Sequence, residues 1–211
     1  MKIDIGLITE NSIVISEYIN QVKYIFGDTI NINTYSIEDG SAFVKKKENI
    51  FLVSANSSEY FEDVRKTLSK GDVVIPVYLS FFRRNLLLLN AYPKGTRALL
   101  VNVTKRMAEE TITSIHQTGT NNIEFVPYYP GCTYKGDIKL AVTVGHEDIV
   151  PDFIEDTVDI GWRQISTLTM AELAIKIDCE YILETKRFLE LSEKLFDLSD
   201  GFSTILTKYK V

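Results

Sequence analysis

Apolar and polar positions alternate most clearly between residues 97 and 131. An apolar run at 98–103 is short and rich in branched side chains, which is typical of a buried strand. From Thr104 to residue 118 the apolar residues recur at helical spacing, with charged residues on the other face. A second apolar run at 123–127 resumes the strand pattern. A strand, an amphipathic helix and a strand in this order predict a βαβ unit whose two strands are parallel.

The part of the chain before residue 93 repeats this alternation several times. Successive strand–helix pairs predict a doubly wound parallel sheet rather than a sandwich. Pro76 lies inside the last of these strands, and because proline cannot donate a ladder hydrogen bond, it indicates an edge position or a bend. The predicted strands lie at 2–8, 30–35, 50–54 and 73–78, and the predicted helices at 14–26, 41–47, 59–69 and 80–90.

The part after residue 127 contains two further predicted strands and a long predicted helix. The strands lie at 139–146 and 158–163, and the acidic segment between them predicts a single helical turn. Residues 169–172 (Thr-Met-Ala-Glu) fit a capping box that opens a helix. The apolar periodicity beyond this box continues almost to Asp200. We therefore expect a long C-terminal helix that leads out of a compact domain toward a domain outside this chain.

Together these patterns predict an α/β protein made of two similar lobes. The similarity is inferred from the order of the elements and not from sequence identity between the halves. We expect the first lobe at 1–92, the second lobe at 93–166, and a C-terminal helical region at 167–200 that packs on the first lobe.

The composition predicts a soluble globular protein without a nucleic-acid-binding face. Hydrophobic residues make up 45% of the chain, and the net charge is −6, whereas a nucleic-acid-binding domain usually has a basic face. The uninterrupted apolar runs, such as 86–89, are far too short to span a membrane. The chain starts directly with a predicted strand, so we expect no signal peptide. Cys132 and Cys179 are far apart in sequence. A disulfide between them is left open, but a reduced, cytoplasmic protein is favoured.

The chain contains no sequence motif of a known catalytic or cofactor-binding site. Glycine-rich phosphate loops, zinc-protease motifs and nucleophile elbows are all missing from it. The carboxylates of 147–156 are irregularly spaced, which favours a solvated loop over a metal site. We therefore expect a protein that is not an enzyme and that uses no cofactor and no metal. His146 follows a predicted strand, where contact with a ligand and a capping role are equally open.

The candidate ligand-binding residues follow the predicted strands, because α/β sheets bind ligands at the carboxyl ends of their strands. Asn56 and Ser57 could hold an anion at a helix start or simply cap that helix. The tyrosines combine an apolar ring with a polar tip, which suits a small-molecule cleft, but core-edge packing explains each of them equally well. The predicted set is Thr9, Glu10, Asn56, Ser57, Tyr78, Ser80, Thr104, Tyr128, Tyr129 and His146.

Five stretches of the chain share a pattern with a known family, namely 72–87, 98–112, 123–131, 141–167 and 169–177. Together they resemble the N-terminal sensory region of sigma-54-dependent transcriptional activators of Gram-positive bacteria. That region is similar to the effector-receptor domain of the propionate-catabolism regulator. The resemblance implies two similar three-layer α/β lobes with parallel sheets, of the chelatase-like or periplasmic-binding-protein-like kind, and a small-molecule cleft between them. It also implies that the C-terminal helix leads to a PAS domain or an AAA+ ATPase, followed by a helix-turn-helix.

The residue patterns and the resemblance lead to the same expectation of function. We expect a ligand-sensing regulatory domain of a cytoplasmic transcriptional regulator, which binds a small acidic metabolite and forms a homo-oligomer in the full-length regulator. Two alternatives remain open. One is a protein–protein interaction or dimerisation module without a ligand, and the other is an α/β enzyme that uses His146.

Overall fold

The computed structural model describes residues 2–10, 14–43, 47–54 and 58–196, without the side chains of 43 and 58–61. The strands in chain order are β1 (Ile3–Thr9), β2 (Ile30–Ser36), β3 (Ile50–Ser54), β4 (Val73–Pro76), β5 (Leu79–Ser80), β6 (Thr96–Val101), β7 (Ile123–Tyr128), β8 (Leu140–Thr143), β9 (Asp156–Asp159) and β10 (Gln164–Ile165). The α-helices are α1 (Ile15–Phe26), α2 (Ser58–Thr67), α3 (Arg83–Leu86), α4 (Lys105–Gln117), α5 (Thr167–Lys176) and α6 (Lys186–Lys194). Short 3-10 turns lie at Gly27–Thr29, Ser41–Phe43, Leu87–Ala91, Glu147–Ile149 and Glu180–Glu184.

The described chain divides into two compact units. The first unit comprises residues 2–79 and 164–193, and the second comprises residues 80–163 and 194–196. Each unit contains a four-stranded parallel sheet, with the strand order β2-β1-β3-β4 in the first and β7-β6-β8-β9 in the second. The two short strands β5 and β10 form a separate two-stranded sheet. The predicted α/β class with parallel sheets is confirmed.

The first sheet is buried on both faces. Side chains alternate along each strand, so Ile5, Leu7 and Leu52 pack into one core with α1 and α5. Phe51 and Val53 point to the opposite face and pack into a second core. β4 lies at the edge of this sheet, which confirms the edge position that its proline predicted.

The second sheet is covered differently on its two faces. Leu100 and Val142 pack on one face against α4, and Leu86 and Leu89 join the same core. On the other face, Leu99 and its neighbours pack against the segments that follow β7 and β8, which contain no α-helix. Residues 80–92, which the hydrophobic pattern places in the first lobe, thus contribute side chains to the core of the second unit.

The predicted long C-terminal helix is wrong within the described residues. α5 ends where Asp178 adopts a φ of 53°, and the backbone N–H of Cys179 turns back to the carbonyl of Ala174 at 2.8 Å. A 3-10 turn follows, and α6 then begins after Thr185. The apolar periodicity continues across these breaks because Ile182 and Phe188 enter the same core as α5. Residues 197–200, which the sequence pattern also assigns to this helix, lie outside the described ranges.

Three other predicted helix features differ in the structure. The N-cap of α5 is Ser166, three residues before the predicted N-cap Thr169, because the hydroxyl of Ser166 accepts a hydrogen bond from the N–H of Thr169 at 3.2 Å. The predicted helix at 80–90 is instead a short strand, α3 and a 3-10 turn. The buried Leu86 and Leu89 are three residues apart, which matches the repeat of a 3-10 helix. The predicted helix at 41–47 is a 3-10 turn, and 44–46 lie outside the described residues.

None of the helices in the described ranges has both the length and the apolar character that crossing a membrane requires.

The second unit offers a matched pair of leucines that tests the core. Leu100 is 0% exposed and Leu87 is 58% exposed. We expect Leu100→Ala to lower the free energy of unfolding by about 2–5 kcal/mol, because the substitution leaves a cavity. Leu87→Ala, the control, should change it by no more than about 0.5 kcal/mol. Urea unfolding measures both, and similar losses for the two variants would contradict the assigned core.

Candidate functional site

The carboxyl ends of the four strands in the second sheet lie in one row. Val101 is paired with Tyr128 on one side and with Thr143 on the other, and Thr143 is paired with Asp159. The chain leaves β6 for β7 on one side, whereas β8 lies on the other side, so the strand order reverses at β6. In open α/β sheets this reversal is where the loops separate and ligands bind. The turns after β6 and β8 therefore form the candidate site.

The turn after β6 is fixed by a buried asparagine. The Asn102 side-chain oxygen accepts a hydrogen bond from the N–H of Val103 at 2.7 Å, and its amide nitrogen donates to the Thr111 hydroxyl at 3.2 Å. The hydroxyl of Thr104 caps α4 by accepting from the N–H of Met107 at 3.2 Å. These bonds hold the amino-terminal end of α4 at the sheet edge, where the helix dipole is positive.

The basic residues of the first turn of α4 are already engaged with glutamates. Lys105 lies 3.7 Å from Glu109, and Arg106 lies 3.6 Å from Glu110, each one helical turn further on. These are surface pairs of small energetic value. Their positive charges are nevertheless partly balanced by partners on the same helix.

A single carboxylate oxygen joins the turns that follow β8 and β9. Oδ1 of Asp159 accepts hydrogen bonds from the N–H of Gly145 and from the N–H of Gly161, both at 2.8 Å. The two glycines have φ values of 84° and 70°, a region that side chains other than glycine rarely adopt. The clamp therefore depends on glycine at both positions and sets the path of both turns.

Trp162 packs directly over the backbone of Gly145. A Cβ atom added at Gly145 would lie 2.4 Å from the indole Nε1, so a side chain at 145 would displace the tryptophan. The indole also meets the imidazole of His146 edge to face, with ring centroids 4.5 Å apart. Trp162 is 40% exposed and is the single tryptophan of the chain. Its emission therefore reports on this site alone.

His146 is buried, and its imidazole has no hydrogen-bond partner within the described part of the chain. The side chain is 9% exposed. The backbone N–H of His146 donates to the Thr143 hydroxyl at 3.1 Å, but the side chain does not cap the 3-10 turn that follows. Burial lowers the pKa of His146 below its usual value, although the carboxylates of Asp148 and Asp159 act in the opposite direction. The imidazole is therefore neutral at pH 7 and can both donate and accept a hydrogen bond.

The structure gathers four of the predicted site residues at this edge. Thr104 follows β6, Tyr128 ends β7, Tyr129 comes next, and His146 follows β8. The Tyr128 ring lies edge to face against Phe153, with centroids 6.5 Å apart, so much of it serves packing.

The other described candidates lie elsewhere and take part in local contacts. Thr9 is buried at the end of β1, and the carbonyl of Glu10 accepts from the N–H of Glu38 at 3.0 Å. Tyr78 is half exposed, and its N–H donates to the Thr169 hydroxyl at 2.9 Å. The remaining candidates are Ser80, whose buried hydroxyl donates to the carbonyl of Phe196 at 2.7 Å, and Asn56 and Ser57, which lie outside the described residues.

Sequence reasoning did not select the residues that organise this edge. Asn102 carried a detectable signal, because it is a polar residue inside an otherwise apolar strand run. Asp159 carried no such signal in the sequence, because an acidic residue within an acidic segment is usually a solvated surface charge. The pairing of Gly145 with Trp162 depends on contacts across the sheet, which the hydrophobic pattern does not encode.

The described residues contain no group of three or more histidine, cysteine, aspartate or glutamate side chains that could hold a metal ion. Cys132 and Cys179 are both free thiols. The groups described at the edge are an imidazole, an indole, the hydroxyls of Thr104, Tyr128 and Tyr129, carboxylates and the backbone amides of a helix start.

Two glycines with the same backbone conformation test the contact between Gly145 and Trp162. Gly119 has a φ of 85° and nothing within 4 Å of an added Cβ, whereas Gly145 has a φ of 84° and the indole in contact. Gly119→Ala should lower the free energy of unfolding by about 1–3 kcal/mol through backbone strain alone. Gly145→Ala should lower the free energy of unfolding by more than Gly119→Ala does, and it should also shift the Trp162 emission. An unchanged emission spectrum in Gly145→Ala would contradict the packing.

The lowered pKa of His146 predicts a specific pH dependence. The unfolded chain takes up a proton near the usual value of 6.5, whereas the folded chain takes it up only at lower pH. The free energy of unfolding should therefore fall as the pH drops below about 6.5, until the pKa of the folded state is passed. Urea unfolding across this range should show the fall in wild type.

The variant His146→Gln cannot ionise at this position and should lose that component of the pH dependence. His116→Gln is the matched control, because it retains His146 and should follow the wild-type profile. Superimposable profiles for wild type and His146→Gln would show that His146 does not have a depressed pKa.

No protein-family model, no curated protein and no solved structure matches this chain.

Proposed function

We propose that this protein is a ligand-sensing regulatory domain of a cytoplasmic transcriptional regulator. In this proposal a small metabolite binds at the carboxyl edge of the second sheet, between the turns after β6 and β8. The observation that carries the proposal is His146, a buried side chain at the switch point of a parallel sheet whose imidazole has no hydrogen-bond partner within the described residues. Buried polar groups normally have such partners, and a bound ligand would supply one.

The surroundings of His146 suggest how a metabolite would be held. The capped start of α4 presents backbone amides and a positive dipole, which suits an acidic group of the ligand. Trp162 supplies an apolar surface, and the neutral imidazole supplies one donor and one acceptor. A small molecule with an acidic end and further polar groups fits these features.

The chain also provides a path by which binding could influence the rest of a regulator. Arg163 alone separates Trp162 from Gln164, where the chain enters the first unit and soon begins α5. α5 is packed into the core of that unit through Met170 and Leu173, both 0% exposed. A ligand that binds one arrangement of the Trp162 turn more tightly would shift the population toward that arrangement. The covalent connection then carries the change to α5.

A second candidate function is self-association, and it is favoured by one observation. Leu87 and Leu88 are adjacent and both at least half exposed. Exposed apolar side chains of this kind can mark a protein–protein contact. We propose that the full-length regulator forms a homo-oligomer, which is compatible with ligand sensing. The sedimentation behaviour of wild type and of Leu87→Ala would test this candidate.

A thermal-shift screen tests the sensing function. The library should contain short-chain acids, phosphorylated sugars and amino acids. A ligand at a hundredfold its dissociation constant stabilises the folded state by about 2.7 kcal/mol, which a melting curve resolves. We expect at least one hit that also changes the Trp162 emission and that is lost in His146→Gln.

His116→Gln should retain the hit, because this position lies on α4 and away from the edge. A library in which no compound raises the melting temperature would contradict the sensing function. A hit that survives His146→Gln unchanged would place ligand binding at a different site.

A further inference from the structure

The charges around His146 are unevenly distributed. The two carboxylates that act on its imidazole, Asp148 and Asp159, form no ion pair within the described residues. The basic side chains at the start of α4, by contrast, each have a glutamate partner. The β8–β9 side of the edge therefore carries two carboxylates that have no ion-pair partner among the described residues. The β6 side offers the positive end of a helix dipole.

Carboxylates alone would not indicate a ligand, because exposed acidic residues are usually solvated. Two further features lie beside them. The imidazole of His146 is more than nine-tenths buried and has no hydrogen-bond partner in the described part of the chain, so it has an acceptor nitrogen available for an N–H donor. Trp162 is held against it with 40% of its surface exposed, and the indole ring is the aromatic surface that attracts cations most strongly.

One chemical group of a ligand can interact favourably with all of these features. An ammonium group donates hydrogen bonds to an imidazole nitrogen, is attracted by an indole face and balances nearby carboxylates. We propose that the effector carries an ammonium group that docks against His146 and Trp162 beside Asp148, while its acidic end meets the start of α4. The effector would then be a short amino acid or a related amine-bearing acid. This inference rests on the proposed sensing function and names the ligand class of the same site.

Four probes that share a four-carbon chain separate the contributions of the two charged ends. They are 4-aminobutyrate, butylamine, butyrate and 4-acetamidobutyrate. Neighbouring strands lie about 4.8 Å apart, so a four-carbon chain can reach from the turn after one strand to the turn after the next. Binding is measured through the Trp162 emission and the melting temperature, at equal ionic strength for all probes.

We expect 4-aminobutyrate to bind most tightly, and butylamine to bind measurably. Butyrate and 4-acetamidobutyrate, which lack the ammonium group, should bind roughly tenfold more weakly than 4-aminobutyrate. Asp148→Asn should weaken the binding of both amines. Asp152→Asn is the matched control, since it removes an exposed carboxylate from the same segment and should leave the binding unchanged.

Three results would overturn the inference. The first is binding of butyrate as tight as that of 4-aminobutyrate, and the second is amine binding that Asp148→Asn leaves unchanged. The third is the failure of all four probes to bind. In each of these cases the broader metabolite screen still tests the sensing function independently. A hit that lacks an ammonium group would support the sensing function and would exclude amines as the ligand class.

Discussion

Both four-stranded sheets of this protein are built from parallel strands whose two faces are buried, and this burial determines where polar chemistry can occur. A strand such as β6 is apolar on both sides, with Leu99 in one core and Leu100 in the other, both 0% exposed. Polar side chains that could meet a ligand are thereby displaced to the turns at the strand ends. The carboxyl edge of the second sheet collects them because its four strands end in one row.

At this edge one carboxylate oxygen has a large structural effect. Asp159 holds the turns after β8 and β9 together by accepting from two glycine N–H groups, and this arrangement brings Trp162 over Gly145 and against His146. A hydrogen bond to a charged acceptor is among the stronger contacts in a folded protein. The position of the indole therefore follows from backbone geometry, and the imidazole is enclosed without a hydrogen bond of its own from the described residues.

Three features could be predicted from the sequence, because each depends on local periodicity or on a rule of sheet topology. They are the parallel α/β class, the edge position of β4, and the location of Thr104 and His146 at the carboxyl edge of a sheet. Local periodicity did not predict where the helix ends in the C-terminal region.

Ile182 and Phe188 continue a helical spacing although α5 ends before Asp178. The spacing continues because separate segments bury their apolar side chains in one core. The roles of Asn102 and Asp159 could not be predicted in the same way. Their partners are the hydroxyl of Thr111 and the backbone of Gly145 and Gly161, and tertiary structure alone brings these groups together.

The contact between Gly145 and Trp162 has a consequence for how this edge can change during evolution. Any side chain at 145 would occupy space that the indole now fills, and the positive φ of this position disfavours other residues as well. A mutation at 145 therefore costs less once the tryptophan has been replaced by a smaller residue. The costs of the two mutations are thus coupled, and the order in which the tryptophan changes first is the less costly one. Lineages that keep the tryptophan are bound to keep the glycine, whereas Gly119, with no neighbour near its missing Cβ, is free of any such coupling.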